Sequence, residues 1–365
     1  MKLETLVENL QSLELIWEFI TKFEISELIE NISKAINMDV YAVANLPMGG
    51  YSKGKSSGSY FYVIKDLKEN LRYYKWFGNK LLEDRSKEVY LNLIRYRLFP
   101  HPEYLKNACD KDHDQYFDPR IIQCDENEVF VDCGGFIGDT VESFIENFKS
   151  YKRIYTYEPA NENIVKAKDA LQNYENIMFR PYGVGKSEGK ISFVESGSSS
   201  SYLGTVEGAD VQEIKITSLD VDILEPVSFI KMDIEGYEID AIIGAKNHII
   251  NDQPKLTICL YYLVSDLWEI PKLIDSMNPN YQFYLRHYRD DQNWETVLYA
   301  IPKKINNQST SMNLNERKNV YVMNGDKGYW VNQQLTKDCG IIPFLLIKRY
   351  DWTAKRSSSY PLSCK

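Results

Sequence analysis

Apolar residues in the first third of the chain recur at helical intervals. Leucine, isoleucine and phenylalanine follow one another at three- and four-residue steps at Leu6, Leu10, Leu13, Ile16, Phe19, Ile20 and Phe23. A second run, WFGNKLLEDRSKEVYLNLIRYRLF, places on one side Leu81, Leu82, Val89, Leu93 and Tyr96 before PHPEY interrupts it. This spacing is typical of helices with one buried face, and proline ends such helices. Residues 1–123 are therefore predicted to be mostly helical.

The pattern changes from about residue 124 to residue 302. Short apolar runs predict strands at EVFVDC, RIYTYE, IMFRPYG, KISFVE, QEIKITSL, VSFIKMDI, KLTICLYY, YQFYLRHY and TVLYAI, and amphipathic segments predict helices at 139–149, 161–173, 237–250 and 266–277. This alternation indicates an α/β fold with a mostly parallel sheet covered on both faces. No helix separates the last two strands, which are expected to form an antiparallel edge hairpin.

The remaining residues, 303–365, begin with the polar linker KKINNQSTSMNLNERK and continue as a small α/β segment. The sequence therefore predicts three parts: a helical region at 1–123, an α/β domain at 124–302 and an appendage at 303–365.

Composition narrows the classes of ligand. The chain has 365 residues, of which 44% are hydrophobic, and a net charge of −9. These values predict a folded protein with a large core and argue against an extended basic face for nucleic acid. Small neutral or cationic ligands suit this balance better.

Cellular location is predicted from three features. No run of about 18 apolar residues indicates a membrane span, and the N-terminal stretch MKLETLVENLQSLELIWEFI lacks the basic start of a secretory signal. The six cysteines and four histidines are scattered, without metal-ligand spacing. We predict reduced thiols, a cytoplasmic location and no metal site.

The stretch GGYSKGKS, residues 49–56, matches a phosphate-binding loop, which needs a strand before it and a helix after it. DVYAVANLPM is a possible strand, but Pro47 lies beside the loop, and SGSYFYVI is a poor start for a helix. Lys231 interrupts the apolar strand in which a magnesium-binding aspartate would be sought. We interpret this match as a surface loop rather than a nucleotide site.

A second glycine loop, VFVDCGGFIGDT, has a more suitable context, since an apolar strand ends at Asp132 and a helix opens at Asp139. Gly134 and Gly138 are expected to let a ligand approach the backbone, and Asp139 or Thr140 to cap helix amides.

The chemistry of this loop favours a positively charged ligand. Phe136 stands where a dinucleotide-binding loop requires glycine, and Asp132 is a poor neighbour for phosphates. The next strand, RIYTYEP, ends at Glu158, which is placed to accept ribose hydroxyls. Together these acids indicate an adenosine-type cation such as S-adenosylmethionine; the alternative is that Asp132 is a cap and Glu158 is solvated.

A third segment, SFIKMDIEGYEIDAIIGA, closes an apolar strand with acidic residues. Strand ends line the ligand crevice of such sheets, so Asp233 is the first candidate for a general base and Glu235 the second. His287, at another strand end, is the third, although a single histidine is more often structural. Glu238 and Asp240 are expected to be solvated at a helix start.

These motifs, together with ITSLD, DLWEIP and YLRHY…WETVLYAI, closely resemble the FkbM-type S-adenosylmethionine-dependent methyltransferases over residues 128–301. The resemblance implies a doubly wound, mostly parallel, seven-stranded Rossmann-like sheet with an antiparallel edge hairpin. It implies O-methylation, commonly of sugar or polyketide hydroxyls. It also implies that the cofactor is bound by Asp132, Gly134, Gly135, Phe136, Gly138, Asp139, Thr140, Glu158, Pro159, Gly183, Val184 and Asp233.

This chain departs from the family at Tyr261-Tyr262, where similar sequences often have tyrosine-histidine.

The favoured function is transfer of a methyl group to a sugar hydroxyl of a bacterial-type surface glycan or its precursor. A binding protein that keeps the cofactor fold without catalysis, and a nucleotide-sugar or NAD-dependent enzyme, are the alternatives. The serine-rich loop at 195–210 is either a lid over a sugar or a hairpin tip.

Overall fold

The computed structural model describes residues 2–48, 58–194, 202–203, 211–303, 319–324 and 327–332. The chain divides into two compact units, Met1–Lys303 and Lys304–Lys365. The glycine-rich stretch 49–56 and most of the serine-rich loop lie outside the described residues.

The N-terminal part of the first unit is helical, as predicted. Its helices are α1 (Leu3–Asn9), α2 (Leu13–Lys22), α3 (Ile25–Ile36), α4 (Val40–Ala44), α5 (Tyr60–Glu69), α6 (Leu71–Lys80), α7 (Asp84–Leu98) and α8 (Pro102–Ala108). The side chain of Ser12 caps α2 by accepting a hydrogen bond from the amide of Leu15 at 3.3 Å. The first apolar run is thereby divided into two helices.

A seven-stranded sheet follows. Its strands are β1 (Val129–Cys133), β2 (Arg153–Tyr157), β3 (Ile177–Arg180), β8 (Phe229–Met232), β9 (Lys255–Cys259), β10 (Tyr281–His287) and β11 (Thr296–Pro302), in the order β10-β11-β9-β8-β1-β2-β3. Only β11 is antiparallel to its neighbours, β9 and β10. The predicted sheet and edge hairpin are confirmed, and β11 inserts between β9 and β10.

The strands predicted from KISFVE and QEIKITSL belong to a separate four-stranded sheet. This second sheet contains β4 (Gly183–Val184), β5 (Gly189–Val194), β6 (Tyr202–Leu203) and β7 (Val211–Thr217), in the order β4-β7-β5-β6. The helices of this half are α9 (Asp139–Phe148), α10 (Asn161–Ala170), α11 (Leu219–Asp222), α12 (Glu238–Gly244), a short π-helix (His248–Asp252) and α13 (Asp266–Met277).

The helical region and the sheet share one apolar core. Phe77 of α6 stacks edge-on against Tyr90 of α7 and against Phe283 of β10, with ring centroids 5.4 and 6.3 Å apart. Buried Arg286 of β10 binds Asp118 at 2.9 Å, before β1, and Glu83 at 2.5 Å, before α7. Each buried aromatic or aliphatic side chain contributes roughly 1.5–3 kcal/mol, so the helices stabilise the edge of the sheet.

The prediction of one continuous helix over the second apolar run is wrong at its centre. Instead of continuing through residues 81–83, the chain is extended there, and Leu81 forms a parallel bridge with Phe283. The amide of Leu82 donates to the carbonyl of Phe283 at 3.1 Å, and the Leu82 side chain is 50% exposed rather than buried. Pairing with the edge of β10 outweighs helix propensity at these residues.

The flanks of GGYSKGKS differ from those of a phosphate-binding loop. The possible strand before it is the helix α4, and Pro47 then forms a bridge with Ser59. The helix α5 does begin at Tyr60, so the expectation of a poor helix start is wrong, and burial of Tyr60, Val63 and Ile64 explains why. A helix in place of the entering strand argues against a nucleotide loop.

The second unit is described only by one antiparallel hairpin, in which β12 (Asn319–Asn324) pairs with β13 (Lys327–Asn332). Across the described ranges, none of the helices has the length and apolarity needed to cross a membrane.

Candidate active site

The glycine loop after β1 is shaped by contacts within the protein. Gly134 and Gly138 have positive φ angles, 87° and 91°, which favour glycine. A Cβ atom on Gly134 would lie 1.9 Å from the carbonyl oxygen of Asp233, and one on Gly138 would lie 2.9 Å from Leu171. These protein contacts account for both glycines, and the expectation that the loop lets a ligand approach the backbone stays a prediction.

The start of α9 also differs from the prediction. Gly138 is the N-cap, and no side chain caps the helix; Asp139 and Thr140 are its first two residues. Gly135 packs against β2, since a Cβ atom there would lie 2.0 Å from Oγ1 of Thr156. The loop is therefore wedged between β2, the end of β8 and α10.

Asp132, at the end of β1, forms an ion pair with the neighbouring strand. The Nζ atom of Lys231 lies 3.0 Å from Oδ1 of Asp132, and both side chains are almost fully buried. Burial raises the pKa of Asp132 to about 6 although Lys231 opposes the shift. Burial lowers the pKa of Lys231, but Asp132 and Asp233 outweigh it and raise that pKa overall. Lys231 also donates to the carbonyl of Gly134 at 2.8 Å, so this pair holds the loop.

Glu158 follows β2 and is 7% exposed, so the alternative of a solvated side chain does not apply. Its Oε2 accepts from the amide of Phe136 at 3.0 Å, and its Oε1 accepts from the amide of Ala160 at 2.8 Å and from Asn163 at 3.4 Å. Burial raises the pKa of Glu158, and the hydrogen bonds from these amide groups oppose that shift. A carboxylate has about four acceptor positions, so about one remains for a ligand.

The other predicted cofactor residues lie farther along the chain. Pro159 lies between β2 and α10. Gly183 and Val184 form β4, which pairs with Ile216 and Thr217 of β7 in the second sheet. Gly183 and Val184 therefore belong to the second sheet and not to the seven-stranded sheet that carries the glycine loop.

Asp233, directly after β8, is held by three tyrosine hydroxyls. Tyr116 donates to Oδ2 at 2.7 Å, and Tyr261 and Tyr262 donate to Oδ1 at 3.0 and 2.8 Å. Burial raises the pKa of each tyrosine, and Asp233 raises it further. The phenols therefore remain protonated donors near neutral pH. We call these three residues the tyrosine cage.

Tyr116 is positioned by its neighbour Phe117. The Phe117 ring packs edge-on against Phe130 of β1, Phe144 of α9 and Phe229 of β8 at centroid distances of 5.7–6.0 Å. The segment between α8 and β1 is thus anchored beneath the sheet, and it delivers the Tyr116 hydroxyl to the end of β8.

Glu235 lies two residues beyond Asp233 and has a positive φ angle of 59°. Burial, Asp233 and Glu238 raise its pKa to about 8. Glu238 was expected to be solvated, but it is 1% exposed and accepts from the amide of Ile234 at 2.9 Å. Burial raises its pKa to about 7. The helix α12 turns this acid inward because its opening residues fold back over the end of β8.

Asp240 remains partly exposed, and its carboxylate lies 3.9 Å from Nζ of Lys186. On the hairpin, Glu295 accepts from Gln115 at 2.5 Å. Burial raises the pKa of Glu295, and Asp233 raises it further. The end of β8 thus carries several mutually repelling carboxylates. In the described ranges, no three His, Cys, Asp or Glu side chains are arranged to hold a metal ion.

His287 is fully buried at the end of β10, with Nδ1 2.9 Å from Oγ1 of Thr296. Burial lowers its pKa to about 4, so the imidazole is neutral at physiological pH. Its carbonyl accepts from the amide of Asp110 at 2.7 Å. These contacts fit a role in joining the hairpin to the segment after α8.

The ends of β1 and β8 lie side by side, because these two strands are paired. A Cβ atom on Gly134 would lie 1.9 Å from the carbonyl oxygen of Asp233, so the glycine loop lies against the backbone that follows β8. A ligand held by the loop and Glu158 would face Asp233 and Glu235. A half-buried carboxyl with a pKa near 8 can accept a proton from a hydroxyl during a reaction.

The comparisons with known proteins concern the domain that contains these strands. Residues 132–283 match the family model described as the methyltransferase FkbM domain. This segment is therefore similar to an FkbM methyltransferase domain. None of the curated proteins matches the chain.

One solved structure shares the fold, and two others give weaker matches. The methyltransferase FkbM from Methylobacillus flagellatus KT is 27% identical, with a TM-score of 0.57, over 66% of this chain and 62% of that one. This chain therefore spans less than two thirds of that protein. An rRNA methylase from Streptococcus thermophilus is 14% identical over 49% of this chain and 88% of its own, at a TM-score of 0.33. Fibrillarin from Aeropyrum pernix, in complex with S-adenosyl-L-methionine, is 12% identical over 50% and 70%, at 0.32.

Sequence reasoning missed several residues of the methyltransferase domain and its surroundings. Lys231 gave a signal, because a single charge in an otherwise apolar strand requires a partner. Tyr116 gave none, since it lies in an irregular segment and reaches Asp233 only through the packing of Phe117. Glu295 likewise depends on the path of the hairpin.

Proposed function

We propose that this protein transfers the methyl group of S-adenosylmethionine to a hydroxyl oxygen, and that the acceptor is a sugar of a surface glycan or its precursor. The observation that carries the proposal is the close approach of the glycine loop to the backbone carbonyl of Asp233, directly after β8. It sets a candidate base beside the candidate cofactor site. Residues 124–302 would form the catalytic domain, and 303–365 an appendage.

The residues at the ends of β1 and β2 fit this cofactor. Glu158 keeps about one acceptor position for a ribose hydroxyl, while the hydrogen bonds that it accepts from backbone amides fix the loop. Asp132 is neutralised by Lys231, so the uncompensated negative charge facing a cationic ligand comes from the carboxylates after β8. When bound, S-adenosylmethionine supplies an activated methyl group on a positively charged sulfur.

The residues of the chain would supply orientation and a base. Glu235 would accept the proton of the acceptor hydroxyl as its oxygen becomes bonded to carbon, a role worth roughly 10²–10⁴-fold in rate. Asp233, fixed by the tyrosine cage, would accept a hydrogen bond from a second hydroxyl of the acceptor and orient it. Holding both reactants in line is the larger share of such catalysis.

Neighbouring features support the acceptor class and the location. A cleft beside Tyr261 is lined by Tyr96 and Arg97 of α7 and by Asn293 of the hairpin, which supports a contribution of the helical region to acceptor binding. The net charge of −9 favours a neutral sugar over a nucleic acid. Within the described residues, Cys109, Cys124, Cys133 and Cys259 are free, which suits a reducing cytoplasm.

The test is methyl transfer from radiolabelled S-adenosylmethionine to a panel of methyl glycosides, with the same panel of O-methylated sugars as a control. Transfer to glycosides with free hydroxyls, and none to the blocked panel, is the expected result. Cofactor binding without transfer to any glycoside would contradict a saccharide acceptor and favour a binding protein. Transfer to amines alone would contradict O-methylation.

A further inference from the structure

The cleft beside Tyr261 contains a positive charge without a matching negative one. Among the described residues that line this cleft, Arg97 is the only cation, none is a carboxylate, and most are apolar, such as Leu93, Val264 and Leu267. A cation among apolar side chains favours a partner of opposite charge. The lining of the cleft supplies none, so the partner has to come from a ligand.

Arg97 is held in place by only one of its three nitrogens. Its Nη1 atom donates to the hydroxyl of Tyr74 at 2.7 Å and to the carbonyl of Val264 at 2.9 Å. In the part of the chain that the structure describes, Nε and Nη2 make no hydrogen bond, and both remain accessible to solvent. These two nitrogens form the edge of a guanidinium that binds two oxygens of a carboxylate or phosphate at once. Arg97 is therefore fixed with its anion-binding edge free.

The acids near Arg97 do not take this edge. Asp66 is connected to Arg97 only through Tyr74, whose hydroxyl donates to Oδ2 of Asp66. The same oxygen also accepts from Nε1 of Trp268 at 3.2 Å. Asp266 is 1% exposed, and burial raises its pKa well above the usual range, which favours its neutral form. The charge of Arg97 thus remains available to a ligand.

The cleft adjoins the carboxylates after β8. Tyr261 lines the cleft, and its hydroxyl donates to Oδ1 of Asp233 at 3.0 Å. One tyrosine side chain therefore separates the cation of Arg97 from the negative charge of Asp233. Opposite charges at the two ends would orient an acceptor, because its anionic group is repelled by the carboxylates and attracted to Arg97.

We propose that Arg97 binds an anionic group of the acceptor, a carboxylate or a phosphate, and thereby determines which sugars are methylated. The acceptor is then a uronic acid or a sugar phosphate, with its anionic group in the cleft and its reacting hydroxyl at Glu235. This inference rests on the proposed function and narrows its acceptor from a neutral sugar to one that carries a single anionic group. The net charge of −9 disfavours a polyanion, whereas one anionic group has its own cation here.

The test is titration of the parent protein with methyl glycosides of glucose, galactose and mannose, and with the uronic acid and 6-phosphate of each sugar. Binding is followed by nitrogen NMR of arginine-labelled protein, with and without S-adenosylhomocysteine, and Arg97→Lys assigns the Nε signal of Arg97. At least one charged sugar should shift this signal and bind roughly ten- to a hundredfold more tightly than the neutral sugar of the same ring. Preference for the uronic acid identifies a carboxylate, and preference for the 6-phosphate identifies a phosphate.

The matched variants are Arg97→Met and Arg95→Met, which remove the same charge from the same helix, α7. Arg95 donates to the carbonyls of Leu10 and Gln11 at 2.6 and 2.8 Å and does not line the cleft. Arg97→Met should bind charged and neutral sugars equally, whereas Arg95→Met should keep the preference of the parent. If Arg97→Met does not fold, Arg97→Lys replaces it and should lose part of the preference, because lysine lacks the two-nitrogen edge.

Two results would overturn the proposal: no preference of the parent for any charged sugar, or a preference that survives unchanged when Arg97 is replaced. The titration requires no turnover. An intact preference with a failed methyl-transfer assay would therefore refute the proposed function and leave the anion site in place.

Discussion

The ends of β1 and β8 each carry an aspartate, and the two aspartates differ in burial and in the partners that bind them. Asp132 is fully buried and paired with the cation of Lys231, whereas Asp233 is half-buried and held by three neutral hydroxyls. Pairing with a cation cancels the charge of Asp132. Phenols fix Asp233 without cancelling its charge, so Asp233 can raise the pKa of Glu235 beside it. We therefore propose that Asp132 at the end of β1 has a structural role and that the carboxylates after β8 take part in the chemistry.

The largest effect is expected at the β8 end, from Glu235→Gln. Methyl transfer should fall roughly 10²–10⁴-fold, because the amide cannot take the acceptor proton. In the parent, only ionised Glu235 is active, so kcat/KM should rise with pH through about 8 and level off above it. A pH–rate profile checks both statements. An unchanged rate, or an acidic limb that survives in the variant, would place the base elsewhere.

At the β1 end, Lys231→Met should affect stability first. It leaves the Asp132 carboxylate buried without its cation and should cost about 3–5 kcal/mol in urea-induced unfolding. Adding Asp132→Asn to the same chain should recover much of that loss. A loss below about 1 kcal/mol would show that the ion pair does not stabilise the loop.

The packing of the glycine loop is tested by Gly135→Ala. Its new methyl group would lie 2.0 Å from Oγ1 of Thr156, and overpacking of this kind costs roughly 1–3 kcal/mol. Thr156→Ala in the same chain should relieve the clash. Gly189→Ala is the control, since a Cβ atom there has no neighbour within 4 Å. Equal stability of the two single variants would contradict the description of the loop.

The smallest effect is expected from Tyr116→Phe. It removes one of three donors to Asp233, and a buried hydrogen bond contributes about 1 kcal/mol. Measuring the free energy of unfolding of Tyr116→Phe and of Lys231→Met under the same conditions compares the two strand ends directly. A loss as large as that of Lys231→Met would mean that the cage, like the ion pair, is mainly structural.

The sequence predicts the sheet of this protein better than its site. Strand ends at Asp132, Glu158 and Asp233 follow from local patterns, because a buried strand followed by a helix leaves few places for its last residue. The inward turn of Glu238 and the break at residues 81–83 do not, since each depends on contact with a distant element. Tyr116 joins the site from 117 positions away in the chain, a separation that no local pattern encodes.

The division of work between the strand ends is tested most directly by calorimetric titration with S-adenosylhomocysteine. The parent and Glu235→Gln should bind it with the same affinity. Glu158→Ala should bind roughly ten- to a hundredfold more weakly, because it loses a charged acceptor worth about 1.5–3 kcal/mol and releases the amides of Phe136 and Ala160. Weaker binding by Glu235→Gln, with none lost by Glu158→Ala, would contradict the assignment of cofactor binding to Glu158 and of the base to Glu235.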